Sequence, residues 1–298
     1  MKKFFVSLCS LFFIFGVSGN VFGITFNDFS STEGLTFNGS STTTTTGDGE
    51  ILRLTPSLRS QSGSVFSSAM VNASDFSTFF EFRITDPGGP IFDGNPENGA
   101  DGLVFVVQSV SSDMGGAGEG IGYAGISNSV GVEFDTWHNS WNNDPDSNHV
   151  GIDINGSVNH GSGSPNTVSV TPNFDDGNLW YSWIDYNGSD LEVRVNQTGI
   201  RPDDPLLSQS LDIAMILGEP DAYVGFTSGT GADWGNHDII SWEYRDGYDP
   251  VGVNPDPSGN PVPEPSTIFL LGSGLAGLIC YRRKNSEAAH LRQPEVSV

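Results

Sequence analysis

The segment Ser129–Asn155, SVGVEFDTWHNSWNNDPDSNHVGIDIN, constrains the fold of this chain more than any other stretch. Its first seven residues alternate, which predicts a strand with one apolar face and one face that carries Glu133 and Asp135. A second predicted strand, Val150–Ile154, closes the segment and is ended by Asn155-Gly156. A polar loop rich in Asn and Asp separates the two strands. The segment therefore predicts a pair of carboxylates on one strand face, followed at once by a loop of further polar groups.

Within this segment, a stretch of 17 residues contains five side chains that could ligate a metal through oxygen or nitrogen: Glu133, Asp135, Asn139, Asp144 and His149. Carboxylate and amide oxygens suit calcium, whereas a set that includes imidazole suits manganese or a similar transition metal. The set is large enough to chelate more than one divalent ion. From composition alone, the competing interpretation is a solvated Asp/Asn loop with an incidental histidine.

The order of these residues resembles the metal-binding loop of legume-type (L-type) lectins. In that family Glu-x-Asp, an aromatic residue, Asn, Asp-Pro and His precede an Ile/Val-Gly-Ile-Asp strand. The matching residues are Glu133, Asp135, Trp137, Asn139, Asp144-Pro145, His149 and Val150-Gly151-Ile152-Asp153. The resemblance implies a manganese-type site formed by Glu133, Asp135, Asp144 and His149. It also implies a calcium site formed by Asp135, Asn139, Asp144 and the carbonyl of Trp137.

A second stretch, ADGLVFVV from Ala100 to Val107, resembles another signature of the same lectins. In those proteins the Asp follows a cis peptide bond and accepts hydrogen bonds from two sugar hydroxyls, which implies this role for Asp101. The alternative for Asp101 alone is a residue that caps a turn at the start of a strand. The resemblance implies further sugar contacts from Gly118, Trp137, Asn139, Ala232 and Asp233.

The rest of the body, from Ile24 onward, consists of predicted strands separated by turn residues, which indicates an all-β antiparallel sandwich. The resemblance implies that this is a jelly-roll sandwich of the concanavalin A-like lectin type, over residues 24–249. The threonine run Thr42–Thr46 and the Gly/Pro/Asn-rich stretch Asp86–Ala100 are predicted to be loops.

Three other expectations concern the second half of the body. Asn187-Gly188 predicts a hairpin tip, and LLSQSLDIAMIL predicts a strand or a short helix. Aromatic residues in strands are more often core than a sugar platform, and His237 matches a family position without a metal role. The expected structural residues are therefore Trp180, Trp183, Tyr186 and His237.

The charge of the body excludes some partners. Residues 24–267 contain 34 Asp or Glu, 6 Arg and no Lys, which gives 6 − 34 = −28. Such a surface argues against binding to nucleic acid or to an anionic membrane, because phosphate contacts require cationic side chains. The two cysteines, Cys9 and Cys280, both lie outside this body, so it contains no disulfide.

Both ends of the chain carry targeting features. Residues 1–23, with Lys2-Lys3 and an apolar run, predict a secretory signal peptide removed after Gly23. Residues 250–261 form a predicted Pro/Gly linker. Residues 262–284 combine Val-Pro-Glu-Pro, an apolar run and a basic cluster, which resembles the PEP-CTERM sorting signal of Gram-negative bacteria. That resemblance implies processing by an exosortase, transient membrane insertion of a short apolar helix at 268–281, and export to the cell envelope or beyond. The polar tail 285–298 departs from the pattern, since such signals usually end near the basic cluster.

The function that these features imply is a secreted lectin that binds glycans or exopolysaccharide with the help of calcium and a manganese-type ion, and is not an enzyme. A laminarinase-like glycoside hydrolase is one alternative, because EFDTWH echoes the EIDxxE strand of those enzymes. The second catalytic acid is missing, however, since His138 stands at its position. A structural role in the envelope or in a biofilm matrix is the other alternative, and it is compatible with sugar binding.

Overall fold

A computed structural model describes residues 23–94, 99–112, 118–161 and 166–252 of the chain. Over this part of the chain there are sixteen strands and one short α-helix, α1 (Ile213–Leu217). The strands, in chain order, are β1 (Gly23–Phe26), β2 (Leu35–Gly39), β3 (Thr42–Thr46), β4 (Gly49–Thr55), β5 (Ser62–Ser67), β6 (Val71–Asn72), β7 (Phe76–Gly88), β8 (Gly102–Gln108), β9 (Ser129–Asp135), β10 (His149–Ile154), β11 (Thr167–Ser169), β12 (Trp180–Tyr186), β13 (Asp190–Asn196), β14 (Leu207–Ser210), β15 (Asp221–Gly229) and β16 (Trp234–Arg245).

The strands form two antiparallel sheets. The back sheet has the order β14-β13-β12-β7-β16-β4-β3, and β1 also pairs with β16. The front sheet has the order β11-β10-β9-β8-β15-β5-β2, and β6 also pairs with β15. Several neighbouring strands are distant in sequence, as where β7 pairs with β16. The predicted all-β antiparallel sandwich is confirmed.

The main core lies between the two sheets and is rich in phenylalanine. On β9, alternate residues Val130, Val132 and Phe134 face this core, as the sequence pattern predicts. Phe80 of β7 meets Phe226 of β15 edge to face, with ring centroids 4.9 Å apart. Each fully buried side chain of this size contributes roughly 1.5–3 kcal/mol relative to exposure, so this layer holds the sheets together.

A second apolar cluster lies on the outer face of the front sheet, under the segment 118–128. It consists of Phe66, Val104, Val106, Ile121, Tyr123 and Ile126. Gly131 of β9 makes this packing possible, since a Cβ there would lie 2.9 Å from Val104 Cγ1 and 3.0 Å from Tyr123 Cε2. The outer face of the front sheet is therefore covered by loops, and these loops border the acidic face of β9.

Two loop predictions differ from the structure. Thr42–Thr46 forms β3, an edge strand whose Thr44 pairs with Ile51, so the prediction of a loop there is wrong. Threonine is β-branched and fits a pleated strand, and the run contains no glycine or proline to break one. The predicted loop from Asp86 begins later than expected, because β7 continues to Gly88 and pairs with Trp234 there.

Several other expectations are confirmed. Asn187-Gly188 connects β12 to β13, and Gly188 has a φ of +92° that favours glycine. The stretch predicted as strand or helix contains both, β14 and α1, and the Asp212 side chain caps α1 by accepting a hydrogen bond from the Met215 N–H at 2.9 Å.

The predicted structural aromatics are buried, but not all on the same side. Trp180 and Tyr186 belong to the main core, whereas Trp183 packs against Phe79 with ring centroids 5.2 Å apart and is 2 % exposed. His237 is buried, and its Nδ1 lies 2.8 Å from Thr55 Oγ1. Burial lowers the pKa of His237 to about 3, so its ring is neutral and structural.

The targeting features lie mostly outside the described residues. The first described strand begins at Gly23, the last residue of the predicted signal peptide, and Gly23 pairs with Arg245. The predicted sorting signal 262–284, its apolar run 268–281 and the tail 285–298 are not described, and of the linker 250–261 only the first three residues are. Among the described residues, no helix is long and apolar enough to cross a membrane.

Candidate metal and carbohydrate site

The register of three front-sheet strands, β8, β9 and β10, brings together the residues that could bind metal. Asp135 of β9 lies between Gly102 of β8 and His149 of β10, and Glu133 lies opposite Gly151. Alternate residues of a strand share a face, so Glu133, Asp135 and His149 all project to the outer face of the sheet. The loop between β9 and β10 then returns over the same face.

Gly151 leaves the space that the cluster occupies. A Cβ at this position would lie 2.4 Å from Glu133 Oε1 and 2.9 Å from Cε1 of His160. Because both side chains are buried, neither could move aside without disturbing the cluster. Glycine at 151 thus leaves room for the His160 imidazole and the Glu133 carboxylate to lie side by side over the sheet.

The loop between β9 and β10 is tied to the carboxylates by its own backbone. The Trp137 N–H donates to Asp135 Oδ1 at 2.6 Å, and the Asn139 N–H donates to Asp144 Oδ2 at 2.6 Å. Each bond satisfies a backbone donor of the loop that would otherwise be left without a partner near the sheet. They bring Asp144 back to Asp135 and place Asn139, 3 % exposed, beside them.

Two groups of three donors result, and their ligand atoms lie within 4.8 Å of one another. One group is Glu133, His149 and His160, and the other is Asp135, Asp144 and His149. The structure thus brings together Glu133, Asp135, Asp144 and His149, the residues that the resemblance implies for a manganese-type ion. His160 joins the cluster although the sequence interpretation did not include it.

The donor set fits a divalent cation. Glu133 Oε2, His149 Nδ1 and Asp153 Oδ2 are buried without a hydrogen-bond partner among the described residues. Leaving such groups unpaired costs free energy, and buried charges are normally paired or coordinate metals. Carboxylates with imidazole suit a transition-metal ion, while the oxygens of Asp135, Asp144 and Asn139 with the Trp137 carbonyl suit calcium.

The pKa values in the cluster reflect burial and mutual repulsion. Burial, reinforced by Glu133 and Asp144, raises the pKa of Asp135 well above its usual value, and burial raises that of Asp144 to about 6. Burial opposes ionisation of Glu133 as well, but the contact with His149 Nε2 at 3.2 Å and the close approach of the His160 ring outweigh it and lower the Glu133 pKa. Burial disfavours charge on His149, yet its bond to Glu133 raises its pKa overall. The cluster therefore stabilises positive charge at its centre.

Asp101 immediately precedes β8, so it is the residue before Gly102, which pairs with Asp135. The Ala100–Asp101 peptide bond is cis, as the resemblance implies. Asp101 donates its N–H to the Gly229 carbonyl at 3.1 Å and accepts the Thr136 N–H at 3.1 Å on its own carbonyl. Its side chain is 4 % exposed, and Oδ2 has no partner among the described residues. Burial, with Glu119 and Asp233 nearby, raises its pKa to about 8.

Of the other residues with implied sugar contacts, Gly118 adjoins Asp101, but the Gly118 N–H and the Asp233 carboxylate are engaged in other hydrogen bonds. A Cβ at Gly231 would lie 3.3 Å from Asp101 Oδ2 and 3.7 Å from the Gly118 Cα, so Gly118 does adjoin Asp101. The Gly118 N–H, however, donates to the Thr230 carbonyl at 3.2 Å. Both carboxylate oxygens of Asp233 accept the Ile91 N–H at 3.2 Å, so its side chain anchors a loop.

The sequence interpretation missed two residues near Asp101, Trp141 and Glu119. Trp141 is 63 % exposed, and its indole N–H donates to Glu119 Oε2 at 2.9 Å. Trp137, for which the resemblance implies a sugar contact, is half-buried. No spacing motif distinguishes Trp141 within the loop, and only its pairing with Glu119 shows that it borders the Asp101 region.

Taken together, the two sheets, the donor cluster and the adjacent Asp101 define a β-sandwich binding domain of the lectin class. The chain belongs to the legume lectin family: residues 22–257 match the legume lectin domain, and residues 261–284 match the PEP-CTERM protein-sorting motif. The two motifs inferred from sequence are thereby confirmed.

Individual relatives agree with this assignment. The chain is 33% identical over 208 residues to L-type lectin-domain containing receptor kinase VIII.1 of Arabidopsis thaliana, covering 68% of this chain and 27% of the kinase. It therefore spans about a quarter of that relative. It is 30% identical over 242 residues to Lectin 1 of Medicago truncatula, covering 71% of this chain and 76% of the lectin.

The solved structures confirm the fold. The basic winged bean lectin, solved with Tn-antigen, has a TM-score of 0.61 and 26% sequence identity, covering 76% of this chain and 98% of the lectin. The predicted concanavalin A-like jelly roll is thereby confirmed.

Proposed function

We propose that this protein is an exported lectin that binds a glycan or exopolysaccharide at Asp101, with calcium and a transition-metal ion organising the site. The observation that carries the proposal is the unpaired, buried Oδ2 of Asp101 beside Gly231. Sugar hydroxyls are neutral donors, so a site for them needs fixed acceptors, and an unpaired buried acceptor is one. The lectin relatives support the same conclusion.

The residues around Asp101 would complete the site. Asn139 would donate from its side-chain amide, and the backbone near Ala232 and Asp233 would supply further donors. Trp137, with Trp141 at the edge, would offer an apolar face for a sugar ring. Gly118 would border the sugar through its Cα, because its N–H is already donated to Thr230.

The metal residues would act on sugar binding indirectly. Glu133, Asp135, Asp144 and His149 would hold the manganese-type ion, and Asp135, Asn139, Asp144 and the Trp137 carbonyl would hold calcium. When bound, the ions would neutralise the buried carboxylates and fix the loop that carries Asn139. Asp135 and Asp144 would belong to both sets.

Hydrolysis is not part of the proposal. A retaining glycosidase needs two carboxyl groups about 5–5.5 Å apart on either side of the sugar bond. Glu133 and Asp135 are 1 % and 3 % exposed and belong to the donor groups of the cluster. The relatives, which are lectins and lectin receptor kinases, also favour binding over hydrolysis.

A glycan array tests the proposed function. The mature protein, loaded with calcium and manganese, should bind a defined set of glycans, and treatment with chelator should abolish this binding. Re-addition of both ions should restore it. Absence of binding to plant, bacterial and mammalian glycans in the loaded state would contradict the proposal and favour a purely structural role in the envelope or matrix.

The sorting motif supports export and processing. We expect exosortase to cut the chain near Pro265 after transient insertion of 268–281, so that the mature lectin leaves the membrane. Mass spectrometry of the protein from its native envelope should show a chain that begins near Ile24 and ends near Pro265. A predominant chain that extends to Val298 would contradict processing.

A further inference from the structure

His160 is a buried histidine in the donor cluster that the metal sets proposed above do not use. Its side chain is 1 % exposed, and its ring is 5.5 Å from the ring of His149, at an angle of 89°. Its Nε2 lies 2.7 Å from Glu133 Oε1 and 3.7 Å from Asp144 Oδ1. The imidazole therefore lies beside Glu133, His149 and Asp144, three of the four residues proposed for the transition metal.

The backbone of the metal loop holds His160 in place. The His160 N–H donates to the Asn142 carbonyl at 3.0 Å, and Asn159 donates from Nδ2 to the Trp141 carbonyl at 3.1 Å. Both acceptors belong to the 3₁₀ turn Ser140–Asn142, which follows Asn139 directly. His160 is thus fixed to the loop that also carries Asp144.

The contacts of the ring fit a ligand better than an ion pair. Neither Nδ1 nor Nε2 of His160 has a hydrogen-bond partner of acceptable geometry among the described residues, in spite of the short distance to Glu133. An imidazolium paired with Glu133 alone would direct an N–H at the carboxylate. Donor atoms that converge without hydrogen-bond geometry are expected where they share a cation.

Asp153 lies on the far side of the ring. Its Oδ1 is 3.7 Å from His160 Nδ1, and its other oxygen is unpaired and buried. A carboxylate behind a metal-ligating histidine commonly fixes its tautomer and orientation. Asp153 would direct Nε2 of His160 towards the Glu133 side.

From this geometry we infer that His160 is a fifth protein ligand of the transition-metal position, through Nε2, and that the position selects a zinc-type ion over manganese. The inference rests on the metal sites of the proposed function. The donor group Glu133, His149 and His160 supplies two imidazoles and one carboxylate, a common donor set for zinc, whereas a set with a single imidazole and more oxygen ligands suits manganese. Gly151 provides the room, since any Cβ there would collide with both Glu133 and His160.

Competition between metals tests the inference. Metal-stripped full-length protein with calcium present is titrated with zinc alone and with manganese alone, and affinities are measured by calorimetry. Wild type should bind zinc more tightly than manganese. His160→Ser should lose on the order of 10- to 100-fold in zinc affinity and much less in manganese affinity. Loss of a group that only hydrogen-bonds a metal ligand typically has an effect of this size, so loss of a direct ligand should cost at least as much. His138→Ser, which changes a histidine of the same loop outside both donor groups, should leave both affinities unchanged.

A spectroscopic readout separates ligation from packing. Cobalt in place of zinc should give a visible absorption spectrum that changes in His160→Ser and in His160→Asn but not in His138→Ser. Equal losses of zinc and manganese affinity with an unchanged cobalt spectrum would show that His160 only supports the fold, and would overturn the inference. So would zinc affinity that is the same in wild type and His160→Ser.

The same samples distinguish this inference from the proposed function. Glycan binding is measured in each with calcium and the tighter transition metal present. Zinc selectivity through His160 without any glycan binding would leave the inference standing and remove the proposed function. Glycan binding with no role for His160 in metal selectivity would do the reverse.

Discussion

Replacement of Asp101 by Asn should abolish measurable glycan binding while leaving the fold intact. Asn keeps the shape of the side chain but presents a neutral, weaker acceptor and an N–H₂ group to the sugar. In the metal-loaded protein, the bound cations would favour the ionised form of Asp101, so its bonds to sugar hydroxyls would be charge-assisted. Charge-assisted hydrogen bonds are about twice as strong as neutral ones, so losing two should cost about 2–3 kcal/mol. That is roughly a 30- to 150-fold loss of affinity, which would put weak monosaccharide binding below detection.

The same variant should change the pH dependence of stability in the metal-stripped protein. The pKa of Asp101 is about 8 in the folded protein against a usual value of 3.8, because the carboxyl group is buried. A carboxyl with a raised folded pKa favours folding fully below about pH 4, and this contribution is lost as the pH rises towards 8. Asn does not titrate, so the free energy of unfolding of Asp101→Asn relative to wild type should rise by a few kcal/mol between pH 4 and 8.

Melting curves and glycan binding at several pH values check both effects. Asp204→Asn, which changes an exposed carboxyl between β13 and β14, should match wild type in each measurement. Equal glycan binding by wild type and Asp101→Asn would remove Asp101 from the site. An unfolded Asp101→Asn would instead support the alternative in which Asp101 caps a turn.

Removal of metal should destabilise the domain strongly. A ligand that binds only the folded state stabilises it by roughly 2.7 kcal/mol at a hundredfold excess over its Kd. For a domain of this size, that corresponds to about 5–10 °C in Tm for each ion. Chelation should therefore lower Tm by this amount or more, and calcium with a transition metal should restore it.

The effect of chelation should also shrink at acidic pH. Ligands must be deprotonated to bind metal, and the pKa of Asp144 is about 6 while that of His149 is raised. The difference in Tm between loaded and chelated protein should thus be large at pH 7.5 and small at pH 5.

Asp135→Asn provides the matched variant, because Asp135 belongs to both proposed metal sets. Its Tm should respond little to added ions, whereas Asp204→Asn should respond as wild type does. In the absence of metal, Asp135→Asn should be at least as stable as wild type, since burial raises the Asp135 pKa and makes its charge costly. A wild-type melting curve that chelation leaves unchanged would refute both metal sites.

Much of the candidate site could be predicted from local sequence. The alternation from Ser129 to Asp135 identified a strand with an acidic face, because the side-chain period of a strand is a property of the strand itself. The order Glu133, Asp135, Asn139, Asp144 and His149 lies within 17 residues, so one loop brings these side chains together. Asn187-Gly188 was recognisable as a hairpin for the same local reason.

Other features depended on contacts between distant segments. His160 and Asp153 join the cluster only because β10 pairs with β9 in a register that sets Gly151 opposite Glu133. Thr42–Thr46 has side chains that suit a strand, but it becomes one because β4 offers it a free edge. Neither the register between strands nor the availability of an edge can be deduced from a short stretch of sequence.

The sequence by itself thus determined most of the strand pattern, the family and most of the residues that could bind metal. The tertiary structure decided that Asp101 precedes the residue paired with Asp135 and that Asp101 Oδ2 is left unpaired. It also decided that Trp141 pairs with Glu119 and that His160 faces Glu133. The physical reason is that periodicity and spacing are local properties of the backbone. Burial and register, by contrast, follow from the sum of long-range packing, in which small residues such as Gly131 and Gly151 allow loops and side chains to approach the sheet.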